Sequence, residues 1–196
     1  MNAIIDKTPL EAGCFFHVYN RGINREKLFY KDIHYQKFMK RYETLMNGFL
    51  DTYSYCLLPN HYHFLIRLYD SNDPHYERII SNHLNILFSQ HALMINREMK
   101  RYGSLFCKSF KRIKVKSDYY LKNLVVYIHE NPLKHKIISD YKTYPYSSYQ
   151  EIIRNKPRIT CVHNTISLFD GISGLIDYHE NKDPVRVFLG KLTIEE

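Results

Sequence analysis

The stretch Leu57-Leu58-Pro59-Asn60-His61-Tyr62-His63-Phe64-Leu65-Ile66-Arg67 decides the fold. It reads as the end of one strand, a Pro-Asn turn, and a second strand that opens with two histidines. Residues two apart on a strand share a face. His61 and His63 therefore stand side by side, while Tyr62, Phe64, Ile66 and Leu68 fall on the other face and read as core. Two imidazoles on one strand can chelate a divalent cation. They can equally be a pair on a solvated sheet face, and the H-x-H alone does not choose between the two.

Working outward, Thr52 to Leu58 is the partner strand, and the Pro-Asn turn makes the two an antiparallel hairpin. Upstream, Cys14 to Arg21 is a strand rich in β-formers, preceded by a polar arm over Met1 to Ala12. Gly22 to Lys27 is a basic turn. Asp32 is placed to cap a helix with the stripe Phe38, Tyr42, Leu45 and Phe49, ended by Gly48. Downstream, Asp70 to Pro74 is a turn. A long helix from about His75 to Met99 carries Ile80, Leu84, Leu87, Phe88, His91 and Ile95 on one side, with His83 and His91 as packing histidines. After a loop over Tyr102 to Ser109, Phe110 to Lys116 alternates. Ile113 and Val115 face one way, and Arg112, Lys114 and Lys116 form a basic outer face. Ser117-Asp118 caps a helix buried through Leu121, Leu124, Val125 and Ile128, which Pro132 should halt near Glu130. Beyond Lys134 the chain is irregular, with one more short helix over Ser167 to Tyr178.

This order predicts an α+β fold, a ferredoxin-like antiparallel sheet flanked by helices. Residues 1–150 form the principal domain, and 151–196 are a C-terminal extension packed on it.

At 196 residues with 44% hydrophobic side chains, the chain is globular rather than disordered. Its formal charge of +8 calls for an anionic partner, nucleic acid first and a membrane surface second. Eighteen Tyr and 11 Phe interleaved with Lys and Arg suit stacking on unpaired bases. Cys14, Cys56, Cys107 and Cys161 are far apart, which argues against a zinc knuckle or a disulfide framework and fits a reducing cytoplasm. Neither a signal peptide nor a membrane-spanning apolar run is evident, so a soluble, cytoplasmic protein with no membrane partner is expected.

A second constellation lies in Tyr127-Ile128-His129-Glu130-Asn131-Pro132. Tyr127 and Asn131, four apart, share a helix face. A phenol with a pKa of about 10 is a poor nucleophile. It becomes useful when its electrophile is polarised by a metal and it is held in line for attack. The Asn131 carbonyl could complete a three-ligand cation site with His61 and His63, leaving positions open for phosphate oxygens on Mg²⁺ or Mn²⁺. Spacing alone also fits a core tyrosine and a C-capping asparagine. His17 and His129 are open to acid–base or structural roles alike.

Taken together, Phe16-His17-Val18-Tyr19-Asn20-Arg21-Gly22, Leu58-Pro59-Asn60-His61-Tyr62-His63-Phe64-Leu65-Ile66 and Tyr127-Ile128-His129-Glu130-Asn131-Pro132 resemble the single-tyrosine HUH transposases, most closely the REP-associated tyrosine transposase-like branch. The similarity runs in order from about Cys14 to Tyr149 and includes Arg101-Tyr102-Gly103-Ser104-Leu105-Phe106. Each motif is weak; three in this order are specific. The resemblance implies an HUH nuclease fold over 1–150, with His61 and His63 as the metal pair, Tyr127 as nucleophile and Asn131 as third ligand. It implies Mg²⁺ or Mn²⁺ as cofactor. The partner would be single-stranded DNA with hairpin elements, cleaved and rejoined through a 5′-phosphotyrosine. Arg21, Arg25, Arg112, Lys114 and Lys116 are the expected phosphate contacts. Two departures stand out. Tyr62 sits between the histidines where Val is commoner, and Leu133-Lys134-His135-Lys136 replaces the more usual Val-Arg-Ala-Gly. Members of such a family differ in oligomeric state, so a homodimer stays open. Rival readings are a non-catalytic domesticated nucleic-acid-binding protein, a replication initiator or relaxase, and, on the H-x-H alone, a zinc hydrolase.

Overall fold

The computed structural model describes residues 8–107 and 109–181. Four strands, β1 (Phe15–Arg21), β2 (Leu50–Leu58), β3 (His61–Leu68) and β4 (Lys111–Val115), form one antiparallel sheet in the order β2-β3-β1-β4. Helices α1 (Asp32–Met46) and α2 (Tyr76–Glu98) cover one face, and α3 (Asp118–Lys134) covers the other. The expected ferredoxin-like arrangement, strand–helix–strand–strand–helix–strand, is what the chain adopts.

The strand phase read from the histidine hairpin holds. Tyr62, Phe64, Ile66 and Leu68 pack with Phe16 and Val18 against Phe38, Tyr42, Ile80, Leu84 and Phe88. The opposite face is not solvated. Leu58, Leu65 and Val115 meet Leu121, Leu124, Val125 and Ile128 of α3. With both faces buried, a one-residue slip would exchange the aromatic and histidine sets. Each large apolar side chain contributes about 1.5–3 kcal/mol on burial, so the register is fixed strongly.

The hairpin turn is clamped from outside. Leu28 and Phe29 donate their backbone N–H groups to Pro59 O, and Gly22 N donates to Asn60 O at 2.8 Å. A Cβ at Gly22 would fall 2.0 Å from Glu26 O, so only glycine permits this tight return. The turn also holds Asn24 and Arg25 at positive φ.

Three local expectations change. Asp32 is the first residue of α1 rather than its cap, and Lys31 occupies the cap position without a side-chain bond. The Asp32 carboxylate still complements the positive helix end. Pro132 does not halt α3, which runs on to Lys134. Pro132 offers no N–H to the carbonyl of Ile128, yet the helix passes through it, and the end is closed by His135 N donating to Asn131 O and Ile137 N to Pro132 O. Finally, the single helix expected over 167–178 is two, α5 (Val162–Ser167) and α6 (Ile172–Glu180), broken where Asp170 and Gly171 take positive φ. A short α4 (Tyr149–Ile153) straddles residue 150.

Residues 151–181 lie against the sheet through an isolated bridge between Thr160 and Thr52 and through Ile152, Val162, Phe169 and Leu175 in the α3-side core. A buried relay ties α6 to α3. His179 Nδ1 can only donate to Leu175 O (2.8 Å), so its Nε2 accepts from His129 Nδ1 (2.9 Å), and His129 Nε2 accepts from Ser148 Oγ (2.8 Å). His129 is thus structural. The expected extension beyond residue 181 and the arm before residue 8 lie outside the described residues.

Candidate active site

The site sits on the α3 side of the sheet. Register places Tyr19 opposite His63 and Arg21 opposite His61, so His17, Tyr19, Arg21, His61 and His63 share one face. Helix α3 crosses it and delivers Tyr127 and Asn131. The Tyr127 ring stands edge-on to His63, with centroids 5.7 Å apart. The Asn131 carboxamide lies against His61. All four are buried, Tyr127 retaining 8% exposure. The histidine pair and the Tyr127–Asn131 pair, which spacing alone left unjoined, are therefore brought to one place.

Their hydrogen bonds determine their protons. His61 Nδ1 lies 2.7 Å from Asn60 Oδ1, an atom that can only accept, so Nδ1 carries the hydrogen and Nε2 holds a lone pair. Asn60 keeps that orientation because its Nδ2 donates to Arg25 O. Asn131 Nδ2 donates to Tyr127 O at 2.8 Å, leaving Oδ1 toward the site. His63 Nδ1 meets His17 Nε2 at 3.0 Å. When His63 is the donor of that pair, its Nε2 also presents a lone pair. His61 Nε2, His63 Nε2 and Asn131 Oδ1 are all buried without a well-formed hydrogen bond among the described residues, although the Asn131 amide lies close enough to His61 to interact with it. Three buried polar atoms left unmet in one place are costly, and with His63 as donor to His17 all three present lone pairs that a cation could meet.

The electrostatics agree. Burial pushes His61 down to about 3; the nearby His135 adds to this, the Asn131 oxygen opposes it, and Arg21 adds to it. His17 is also lowered to about 3 by burial. His63 is held well below its ordinary value by burial and then by His17, His61, His135 and Lys134. The imidazoles are neutral, as ligation requires. No group of three His, Cys, Asp or Glu able to hold a metal occurs among the described residues. Any cation here would use two histidines and an amide oxygen.

The expected phosphate contacts divide. Arg21 and Arg25 lie at the histidine end, Arg25 exposed on the turn bonded to Asn60. Arg112 and Lys114 do not join them. The alternation of β4 was read correctly, but its apolar side, Ile113 and Val115, is the side facing α3 and the histidines. Arg112 instead donates to Thr8 O and pairs with Glu77, and Lys114 pairs with Glu11. Lys116 is exposed just past the strand.

Several neighbours escaped the sequence reading. Lys111, on the histidine side of β4, lies over the Tyr19 ring at 5.8 Å. Lys134 Nζ is 4.3 Å from the centroid of Tyr127 and 3.4 Å from Glu130. His135 stands 4.5 Å from His61. The β1 alternation His17-Tyr19-Arg21 carried the signal for the first group. Lys134 and His135 return to the site because α3 continues through Pro132.

No family model matches the chain. A curated relative of Haemophilus influenzae, named "Putative REP-associated tyrosine transposase", is 28% identical over 110 residues, covering 53% of this chain. The chain spans 61% of that relative's length. A solved structure described as a REP-associated tyrosine transposase bound to a REP hairpin has a TM-score of 0.55 at 16% identity, covering 78% of this chain and 87% of the other. That likeness is one of fold. The name of that relative agrees with the resemblance read from the three motifs, and the solved structure agrees with the expected fold.

Proposed function

We propose that this chain is a metal-dependent endonuclease and strand-transferase for single-stranded DNA, a transposase acting on hairpin-flanked substrates through Tyr127. One observation carries the reading: His61 Nε2, His63 Nε2 and Asn131 Oδ1, which all present lone pairs when His63 donates to His17, are buried and unmet beside Tyr127. The names of the relative and of the hairpin-bound structural neighbour support the same substrate class.

The donor set fits Mg²⁺ or Mn²⁺, with two neutral nitrogens and one amide oxygen. When bound there, the cation supplies Lewis-acid charge stabilisation at a scissile phosphate. The protein supplies the rest. Tyr127 Oη forms a bond to phosphorus as the P–O3′ bond breaks, and the phenol proton is balanced by the proton taken up on the leaving 3′ oxygen. The product is a 5′-phosphotyrosine and a free 3′-hydroxyl. One phosphodiester-level bond replaces another, so a 3′-hydroxyl can later attack the adduct and join strands without ATP. Lys134 holds the Tyr127 ring by cation–π attraction. Arg21, Arg25 and Lys111 carry backbone phosphates at the histidine side of the sheet, with Lys116 exposed beyond the strand end. A strand reaching Arg112 and Lys114 would pass round the β4 edge.

Binding and cleavage of a labelled hairpin-flanked single strand with Mn²⁺, measured separately, test this. Wild type should bind and cut, and His61→Ala should bind without cutting. Binding without cleavage by wild type would leave a non-catalytic nucleic-acid-binding protein.

A further inference from the structure

The segment Arg101–Phe106 has no part in the site above, yet it builds a second one. Between α2 and the loop leading to β4 lies an open cavity of about 450 Å³, within the roughly 300–1,000 Å³ of ligand pockets. Its floor is aromatic. Phe88 packs against Phe106 and Phe110 with ring centroids 5.7 and 5.5 Å apart. Asn85 and Ser89 of α2 and Ser109 of the loop add neutral polar groups to the lining, beside the apolar Ala92 and Leu93. Amides and hydroxyls around an aromatic floor match the polar edge and the flat face of a nucleobase.

The loop is braced rather than loose. Asn96 Nδ2 donates to Gly103 O at 2.8 Å, Arg101 donates to Asn96 Oδ1 at 2.7 Å, and Arg101 also pairs with Glu26. On this braced loop Tyr102, next to the cavity wall at Gly103, is 95% exposed. A ring held out to water on a fixed support is a stacking platform with no ring partner among the described residues. From Met99 to Lys116 the sequence has seven Lys or Arg and no Asp or Glu; Arg101, Arg112 and Lys114 pair with Glu26, Glu77 and Glu11, and the remaining excess of positive charge favours an anionic backbone. The cavity opens on the α1 and α2 side of the sheet, opposite the candidate site, and its loop is joined to the histidine end through backbone hydrogen bonds. Ile23 N donates to Leu105 O and Cys107 N to Arg21 O, and Arg21 pairs in register with His61.

We infer that this cavity receives an unpaired nucleobase of the single strand, with Tyr102 stacking on its neighbour. It would act as a base-reading pocket that seats the strand by one of its unpaired bases, on the face of the sheet opposite Tyr127. The inference rests on the reading that the chain binds unpaired DNA.

The test uses the full chain and two hairpin oligonucleotides, one blunt and one carrying a single-stranded extension. Equilibrium affinity is measured by fluorescence anisotropy for wild type, Ser89→Trp, which fills the cavity from an exposed helix position, and Tyr102→Ala. Stacking of one base is worth enough to predict about tenfold weaker binding of the extended hairpin by each variant, with the blunt hairpin unchanged. Replacing one extension base at a time by an abasic site should find a position that costs wild type about tenfold and Ser89→Trp little. Unchanged affinity for the extension in both variants would overturn the pocket while leaving the DNA reading intact. Equal losses on blunt and extended hairpins would make the loop merely structural and overturn it too. Failure of wild type to prefer the extension would overturn both readings.

Discussion

Manganese should raise the melting temperature of the wild-type chain and leave that of Asn131→Ala nearly where it was. In the cation-free fold, His61 Nε2, His63 Nε2 and Asn131 Oδ1 are buried without a well-formed hydrogen bond among the described residues. At roughly 1–3 kcal/mol for each unmet group, the site withholds roughly 3–9 kcal/mol that a cation could return in part. A ligand present at 100 times its Kd stabilises by about 2.7 kcal/mol. For a chain of 196 residues, each kcal/mol is worth about 2–4 °C, so the rise should be about 5–11 °C. The assay is thermal unfolding followed by circular dichroism across a manganese titration. The shift within each variant is compared, so that any loss of basal stability cancels. Asn131→Ala also loses its bond to Tyr127 O, which lowers both curves without affecting their separation. His61→Ala should lose the shift as well. An equal shift in wild type and both variants would place the metal elsewhere. No shift in wild type would leave the orphaned atoms unexplained and refute the site.

Acid should weaken the fold through His91, whose ring is lowered to about 4 by burial, partly offset by its bond to Leu28 O. Its unfolded value near 6.5 is higher, so unfolding takes up a proton between the two; stability is full above about pH 6.5 and is lost as pH falls toward 4. His91→Gln keeps a donor and should flatten that slope by up to about 1.4 kcal/mol per pH unit in urea unfolding; an unchanged slope would remove His91 from the acid transition. Lys111→Ala should reduce the salt dependence of single-strand binding, the log–log slope falling by about 0.7, whereas Lys114→Ala, paired with Glu11 on the opposite face, should not. The reverse pattern would put the strand on the other side of the sheet. His179→Ala strands the buried His129 donor and should cost roughly 1–3 kcal/mol or more in urea unfolding. A neutral result would take the relay out of the account.

The sheet was legible because its signals are local. Alternation around His61-Tyr62-His63-Phe64 set the faces, and the stripe Ile80, Leu84, Leu87, Phe88, His91 and Ile95 is the buried side of α2 as read. What was not legible depended on which layer covers which face. The strand Lys111–Val115 alternates either way, and only pairing with β1 shows that Ile113, not Arg112, looks toward the histidines. Pro132 signalled a stop, yet the helix passes through it, and the tertiary fit of Lys134 and His135 over the site prevailed. The residues of the site were readable by type, as His61, His63, Tyr127 and Asn131. Their convergence was not, because it depends on α3 packing across the face that a solvated-sheet reading would have left open. His17 needed its partner strand before its contact with His63 could be seen.

The central claim is that Tyr127 is the group that takes up DNA, and one covalent assay tests it most directly. Wild type is incubated with a labelled hairpin-flanked single strand and Mn²⁺, denatured, and the labelled protein band is digested and mapped by mass spectrometry. The account predicts a nucleotide-bearing peptide containing Tyr127, lost on adding a chelator and absent from Tyr127→Phe. A cleaved strand with no protein adduct, or an adduct that survives Tyr127→Phe, would contradict it.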